Sequence, residues 1–255
     1  VFGTERFNFV RGRENLRKAL KEYFPEAVDH TSIDKYFGLL DEVEEVGVSY
    51  YIEKVIPPFL SSIFGSFLRK NVLKYSDRTT LEVLKTITTN DRLIGVLTAQ
   101  YGDYGLPPSK SSFYMHALLA NHYMEGAGYP VGGAGSIART VVPVIEKGGG
   151  QVLFYADVKQ IIVQNNKALG VEMADGKKIY ADTIISDAGV INTFGNLLPP
   201  EVIAEHKLKD LLKNLDPSAA HMGMYIGIKE SAKDLKLPAC NYWVFPAEYN
   251  HEVSQ

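Results

Sequence analysis

Residues 126–135 read GAGYPVGGAG and residues 181–189 read ADTIISDAG, and the interval between them decides how the chain is built. Gly126, Gly128, Gly132, Gly133 and Gly135 crowd one loop around Pro130, and residues 136–147 then take up a helical apolar pattern. Such a cluster of conformationally free residues marks a domain boundary. Beyond it the apolar period falls to two. Residues 151–155, 159–163, 169–173 and 178–180 read as strands, with turns at Asn165 and Asn166 and at Asp175 and Gly176. A further short strand over 183–186 ends in Asp187, Ala188 and Gly189. The predicted unit is a small antiparallel meander.

Upstream the pattern is helical. Leu16, Ala19, Leu20 and Tyr23 recur at helical spacing over 14–24, Pro25 interrupts, and residues 32–54 resume with a longer acidic surface. Residues 56–68 place Ile56, Phe59, Leu60, Ile63, Phe64, Phe67 and Leu68 on one broad stripe. The opposite face holds Ser61, Ser62, Gly65 and Ser66, and Arg69, Lys70 and Lys74 follow. Two readings stand: a helix at a membrane surface or tunnel mouth, or an ordinary buried helix. Residues 79–87, 92–100 and 112–125 read as three more helices around a loop at 101–112. Downstream, a helix is predicted over 201–215 and strands over 221–229 and 241–245, in a sheet shared with residues 6–10. The class is α/β, divided as 1–128, 129–200 and 201–255.

Bulk properties narrow the function. The 255 residues carry 27 basic and 30 acidic side chains, so no sequence-wide positive field exists to neutralise phosphates, and nucleic acid is set aside as a partner. Cys240 is the single cysteine, which excludes an intrachain disulfide and a thiolate metal cage and suits a reducing, intracellular setting. No apolar run reaches membrane-spanning length and no export signal is present; the expectation is a cytoplasmic or peripherally membrane-associated protein. The opening at Val1 suggests a piece of a longer protein.

No phosphate loop of the Walker type, nucleophile elbow or HExxH pair is found. His116 and His122 lie six residues apart, on different faces of one predicted helix, so no shared metal is expected. Tyr101, Tyr104, Tyr114, Tyr123 and Tyr129 gather near the glycine boundary, where they suit either a pocket for an extended apolar ligand or plain core packing.

The ordered set Tyr129, Pro130, Gly132, Gly133, then Gly149 and Gly150, Val158, Gly170 and Val171, Asp175 and Gly176, and finally the ADTIISDAG strand resembles the middle of the phytoene desaturase and amine oxidase type of FAD oxidoreductases. The stretch from Tyr101 through Pro107, Pro108, His116, His122 and Gly126 to Pro130 is similar to the retinol saturase branch, with carotenoid isomerases as near relatives. The resemblance covers about the whole chain but includes neither the N-terminal dinucleotide fingerprint nor the C-terminal flavin motif of that family. It implies a fragment of a Rossmann-like FAD-binding domain, held in residues 129–200, beside a helical and antiparallel-sheet substrate domain.

FAD is the implied cofactor, its site incomplete in this chain, with NAD(P)H as a candidate electron source. By the same resemblance Val158 presents its backbone to the adenine, Gly132 and Gly133 pass close to the flavin, and Ala188 and Gly189 form a small corner that admits it. Hydride delivery to a double bond of an apolar polyene or isoprenoid is implied, with Tyr129 and His116 as candidate proton donors. The implied activity is reduction or isomerisation of a retinoid or carotenoid. A desaturase, or a noncatalytic isoprenoid escort of the same fold, is the alternative.

Overall fold

The computed structural model describes residues 1–213, 215 and 220–251. The chain divides into two compact units, Val1–Gly128 with Ser218–Gln255, and Tyr129–Pro217.

The first unit is helical. α1 (Arg13–Tyr23) buries Leu16 and Leu20, and α2 (Ala27–Val55) runs 29 residues, or about 43 Å at helical rise. α3 (Pro58–Ser76) starts on proline, whose fixed φ and missing N–H suit a first helical turn. Two short helices follow, α4 (Thr80–Leu84) and α5 (Asp91–Leu97). Both are pinned at their starts. Thr79 Oγ1 accepts from the Glu82 N–H at 3.2 Å while the Glu82 carboxylate takes the Thr79 N–H at 2.8 Å, and Asn90 caps α5 by accepting from the Leu93 N–H. A single 3₁₀ turn at Tyr101–Asp103 leads to α6 (Phe113–Met124).

The apolar faces of these helices meet in one core. Phe24, Phe37, Phe113, Ile33, Leu40, Leu84 and Leu93 are buried there. Arg92 seals its edge: the guanidinium lies 4.6 Å from the Phe24 ring and 5.1 Å from Phe7, and bonds the Glu5 carboxylate at 2.5 Å. Cation–π contact and ion pair together fasten the first residues of the chain to α5.

The strands expected at 6–10, 221–229 and 241–245 do not form a sheet. Residues 6–10 and 221–229 are in no strand, and Met222, Tyr225 and Ile226 are exposed. What exists is a single parallel bridge between Phe2 and Phe245, with Gly3 N–H donating to Phe245 O at 3.1 Å and Phe245 N–H to Val1 O at 2.8 Å. An extended segment holds strand geometry only if a neighbour takes its backbone groups, and among the described residues none lies beside 221–229.

In the second unit α7 (Gly135–Lys147) ends in a Schellman cap: Gly149 N–H donates to Glu146 O, Gly150 N–H to Ile145 O, and Gly149 has φ +82°. The paired glycines at 149 and 150 therefore stop a helix. β1 (Val158–Gln164), β2 (Lys167–Met173) and β3 (Lys178–Tyr180) form the antiparallel meander in the order β1-β2-β3. Asn165 and Asn166 both take positive φ between Gln164 and Lys167, the backbone that a two-residue hairpin turn requires. Segments 151–155 and 183–186 are not strands, and Phe154 and Ile185 are exposed. The helix expected over 201–215 is broken. After α8 (Val190–Asn192) and a π turn at Thr193–Leu197 come α9 (Pro200–Glu205) and α10 (Leu208–Leu212), separated where Lys207 adopts φ +51°. The rest of the range, at residue 214, lies outside the described residues.

Gly170 is the tight point of the meander, because a Cβ there would stand 2.2 Å from Ile179 O and 2.9 Å from Tyr180 Cα. Gly170→Ala in the full chain is expected to cost about 1 to 3 kcal/mol by overpacking against backbone. A lowered urea midpoint by circular dichroism checks it, and an unchanged midpoint would show that β3 moves aside freely.

Candidate functional site

In the second unit the glycine loop leaves backbone uncovered. Gly132 and Gly133 have φ +86° and +83°, a region that L side chains rarely adopt, and nothing lies within 4 Å of where a Cβ on Gly133 would stand. Gly133 O accepts from Ser136 Oγ at 2.8 Å, and Gly132 O accepts from Arg139 Nη2 at 3.0 Å. Arg139 was missed from sequence; its position one turn into α7 is the signal that could have found it. Tyr129 is 77% exposed, and its hydroxyl accepts the Ala134 N–H at 3.3 Å, which braces the loop and leaves the phenol proton directed elsewhere.

Gly189 repeats the pattern at φ +83° with open space around it. Ala188 beside it is exposed, and its carbonyl accepts from Asn192 Nδ2 at 2.9 Å, tying the corner to α8. Ser186 Oγ and Thr193 Oγ1 share a hydrogen bond at 2.7 Å across the same corner. Val158 opens β1, and a register shift follows between Val158 and Gln160. β1 is an edge strand of the meander, so one row of its backbone groups faces away from β2. A depression of about 530 Å³, lined by Gln160, Leu198, Ile203 and Lys207 among others, belongs to this unit and includes none of Gly132, Gly133, Val158, Ala188 and Gly189.

His116 belongs to the first unit. It sits 3% exposed on α6, its Nε2 2.9 Å from the Tyr36 hydroxyl and its Nδ1 3.2 Å from the Tyr104 hydroxyl. Both ring nitrogens are occupied by tyrosines of the same unit. Burial lowers the imidazole pKa to about 4, and desolvation likewise raises both phenols above their ordinary range. The three residues form a neutral hydrogen-bonded bridge inside a helical core, a geometry that ties α2 to α6. Tyr36, eighty residues upstream, carried no sequence signal, whereas Tyr104 is one of the tyrosines singled out near the glycine boundary. Among the described residues no group of three His, Cys, Asp or Glu side chains is arranged to hold a metal ion.

Comparison with known proteins gives the class. No family model matches the chain. It is 34% identical over 252 residues to all-trans-retinol 13,14-reductase of Danio rerio, covering 94% of this chain and 40% of that protein. The all-trans-retinol 13,14-reductase of Homo sapiens is 32% identical over 261 residues, covering 99% and 42%. A chloroplastic prolycopene isomerase of Daucus carota is 31% identical over 137 residues, covering 52% and 22%. The chain belongs to this retinol saturase and carotenoid isomerase branch. It spans about two fifths of the length of the reductases it matches.

The buried imidazole makes stability depend on pH. In the unfolded chain a histidine takes up a proton below about 6.5, whereas folded His116 stays neutral to about 4. The unfolded state therefore binds more protons in that window, and stability falls as pH drops through it, by about 3 kcal/mol in all. Above pH 6.5 the effect vanishes. Urea unfolding of the full chain at several pH values checks this: His116→Gln should flatten the slope, and an equal slope in both proteins would rule the histidine out.

Proposed function

We propose that the protein containing this chain is an FAD-dependent oxidoreductase that reduces or isomerises double bonds of a retinoid or carotenoid-class polyene. The observation that carries this reading is the likeness to the reductases along 94 to 99% of the chain, coinciding with open glycine corners at the positions the motifs single out.

The residues present fit a flavin in one respect that can be tested on the structure. Gly132, Gly133 and Gly189 hold positive-φ backbone, with free space at Gly133 and Gly189 and only the Arg139 guanidinium, 3.5 Å away, where a side chain on Gly132 would stand. Flat rings can approach such backbone; any Cβ would both obstruct the approach and strain φ. The outer edge of β1 at Val158 supplies amide and carbonyl groups suited to a purine edge. FAD, when bound, supplies hydride transfer.

The remaining tasks belong to the chain. Gly132 and Gly133 form the close wall, Arg139 fixes the loop through Gly132 O, and Ala188 keeps the second corner small. Tyr129 holds a proton at its hydroxyl, beside the glycines and exposed, and is the donor this reading selects. This reading gives His116, whose two ring nitrogens each face a tyrosine hydroxyl, a structural part.

The test is the absorbance of the intact protein, purified gently with lipid or detergent, between about 350 and 500 nm, where an oxidised flavin absorbs. A flavin band that bleaches with dithionite and returns on adding a retinoid or carotenoid is expected. Gly133→Val should reduce flavin occupancy at least about tenfold while leaving the far-ultraviolet circular dichroism intact. A colourless protein that takes up no FAD yet binds a retinoid would replace the enzyme with a carrier.

A further inference from the structure

Between Val43 and Val72 no apolar side chain is buried, although this stretch includes the second half of α2 and most of α3. Val46 and Tyr50 are the last apolar residues of α2 to lean on the core. Beyond them the two helices pair with each other as a projecting arm, and the way they pair is inverted relative to a water-soluble hairpin.

The seam between them is polar and small. Ser49 Oγ donates to Leu68 O at 2.9 Å, Ser61 Oγ donates to Glu53 Oε1 at 2.6 Å, and a Cβ on Gly65 would stand 2.9 Å from that same carboxylate oxygen. Arg69 reaches Glu53 at 3.2 Å and Lys54 at 3.0 Å, so the one acidic group of the arm is buried and neutralised. Ser61 foremost, then Lys54, holds its pKa below the ordinary carboxylate range. Of the predicted stripe Ile56, Phe59, Leu60, Ile63, Phe64, Phe67 and Leu68, the residues Ile56, Leu60 and Leu68 are half-buried, whereas Phe59, Ile63, Phe64 and Phe67 stand out to solvent, Phe59 66%, Ile63 67% and Phe67 79% exposed. On α2, Val48, Tyr51, Ile52 and Val55 are exposed in the same way. Small and polar contacts inside with bulky apolar groups outside is how helices pair where the surroundings are hydrocarbon.

Charge agrees. Residues 46–76 contain Lys54, Arg69, Lys70 and Lys74 against the single acid Glu53. Lys54 and Arg69 are engaged by Glu53 and Lys74 lies 3.6 Å from Glu42, so Lys70, exposed just past the apolar stripe of α3, is the cation best placed to meet a lipid phosphate. No helix among the described residues is long and apolar enough to cross a membrane.

We infer that the arm formed by the end of α2 and α3 docks on a bilayer surface bearing anionic headgroups, its phenylalanines entering the acyl boundary and Lys70 meeting the phosphates. This stands apart from the cofactor reading and can fail independently of it.

Flotation of the intact protein with phosphatidylcholine vesicles, with and without phosphatidylserine, tests it. The protein should float with the mixed vesicles. Phe59→Ser combined with Phe64→Ser and Phe67→Ser should lower the bound fraction at least about tenfold, since three phenylalanines leave the acyl boundary. Lys70→Glu should lower it about fivefold or more with phosphatidylserine present, an effect that added salt erases. Lys70 is exposed and makes no core contact, so this arm decides the matter if the triple variant fails to fold. Flotation unchanged in Lys70→Glu, or in a folded triple variant, overturns the inference. So does a parent protein that ignores vesicles and forms a dimer which the triple variant dissolves, because a second copy would then cover the arm.

Discussion

Closure of backbone hydrogen bonds is the constraint on which the two units of this chain depend. A helix satisfies its own amides, so α1 to α6 need only bury their apolar faces, and they do so around Phe24, Phe37, Leu40 and Phe113. A strand must find a neighbour. In the second unit that requirement is met for β1, β2 and β3, which are adjacent in sequence and joined by tight turns, and it is met for nothing else among the described residues. Segments 151–155, 183–186 and 221–229 carry strand-forming sequence with exposed apolar side chains and no strand pairing among the described residues.

The same contrast shapes the candidate site. Its glycine corners are local devices: Gly132, Gly133 and Gly189 take positive φ because the turns that start α7 and α8 need it, and they open backbone as a consequence. Such features can be set by a few consecutive residues. The helical unit is different, because His116 owes its neutrality to burial in a core assembled from the whole unit and its placement to Tyr36 on another helix. A polar network inside an apolar core holds helices in one register, since each misplacement strands an unpaired donor or acceptor.

The α2–α3 arm shows that burial is not the only fate of an apolar stripe. Glu53 decides the orientation of α3. Its carboxylate needs donors once it leaves water, Ser61 and Arg69 supply them from one face of α3, and Gly65 lets that face come close. The phenylalanine face is thereby turned outward.

The helices upstream of the glycine cluster, the meander with its two turns and the family were legible in the sequence, because period, turn chemistry and motif spacing are properties of neighbouring residues. Gly132, Gly133 and Gly189 could be singled out for the same reason. The sheet drawn between residues 6–10, 221–229 and 241–245 could not be judged in this way, since β-propensity says that a segment will pair and not that a partner is beside it. Nor could the role of His116: a histidine on a predicted helix looks alike in a cleft and in a core, and only packing placed two tyrosines against its nitrogens. The direction faced by Phe59, Ile63 and Phe67 was likewise tertiary. The sequence by itself determined that α3 has two unlike faces; which of them meets α2 depended on a buried carboxylate and the donors within its reach.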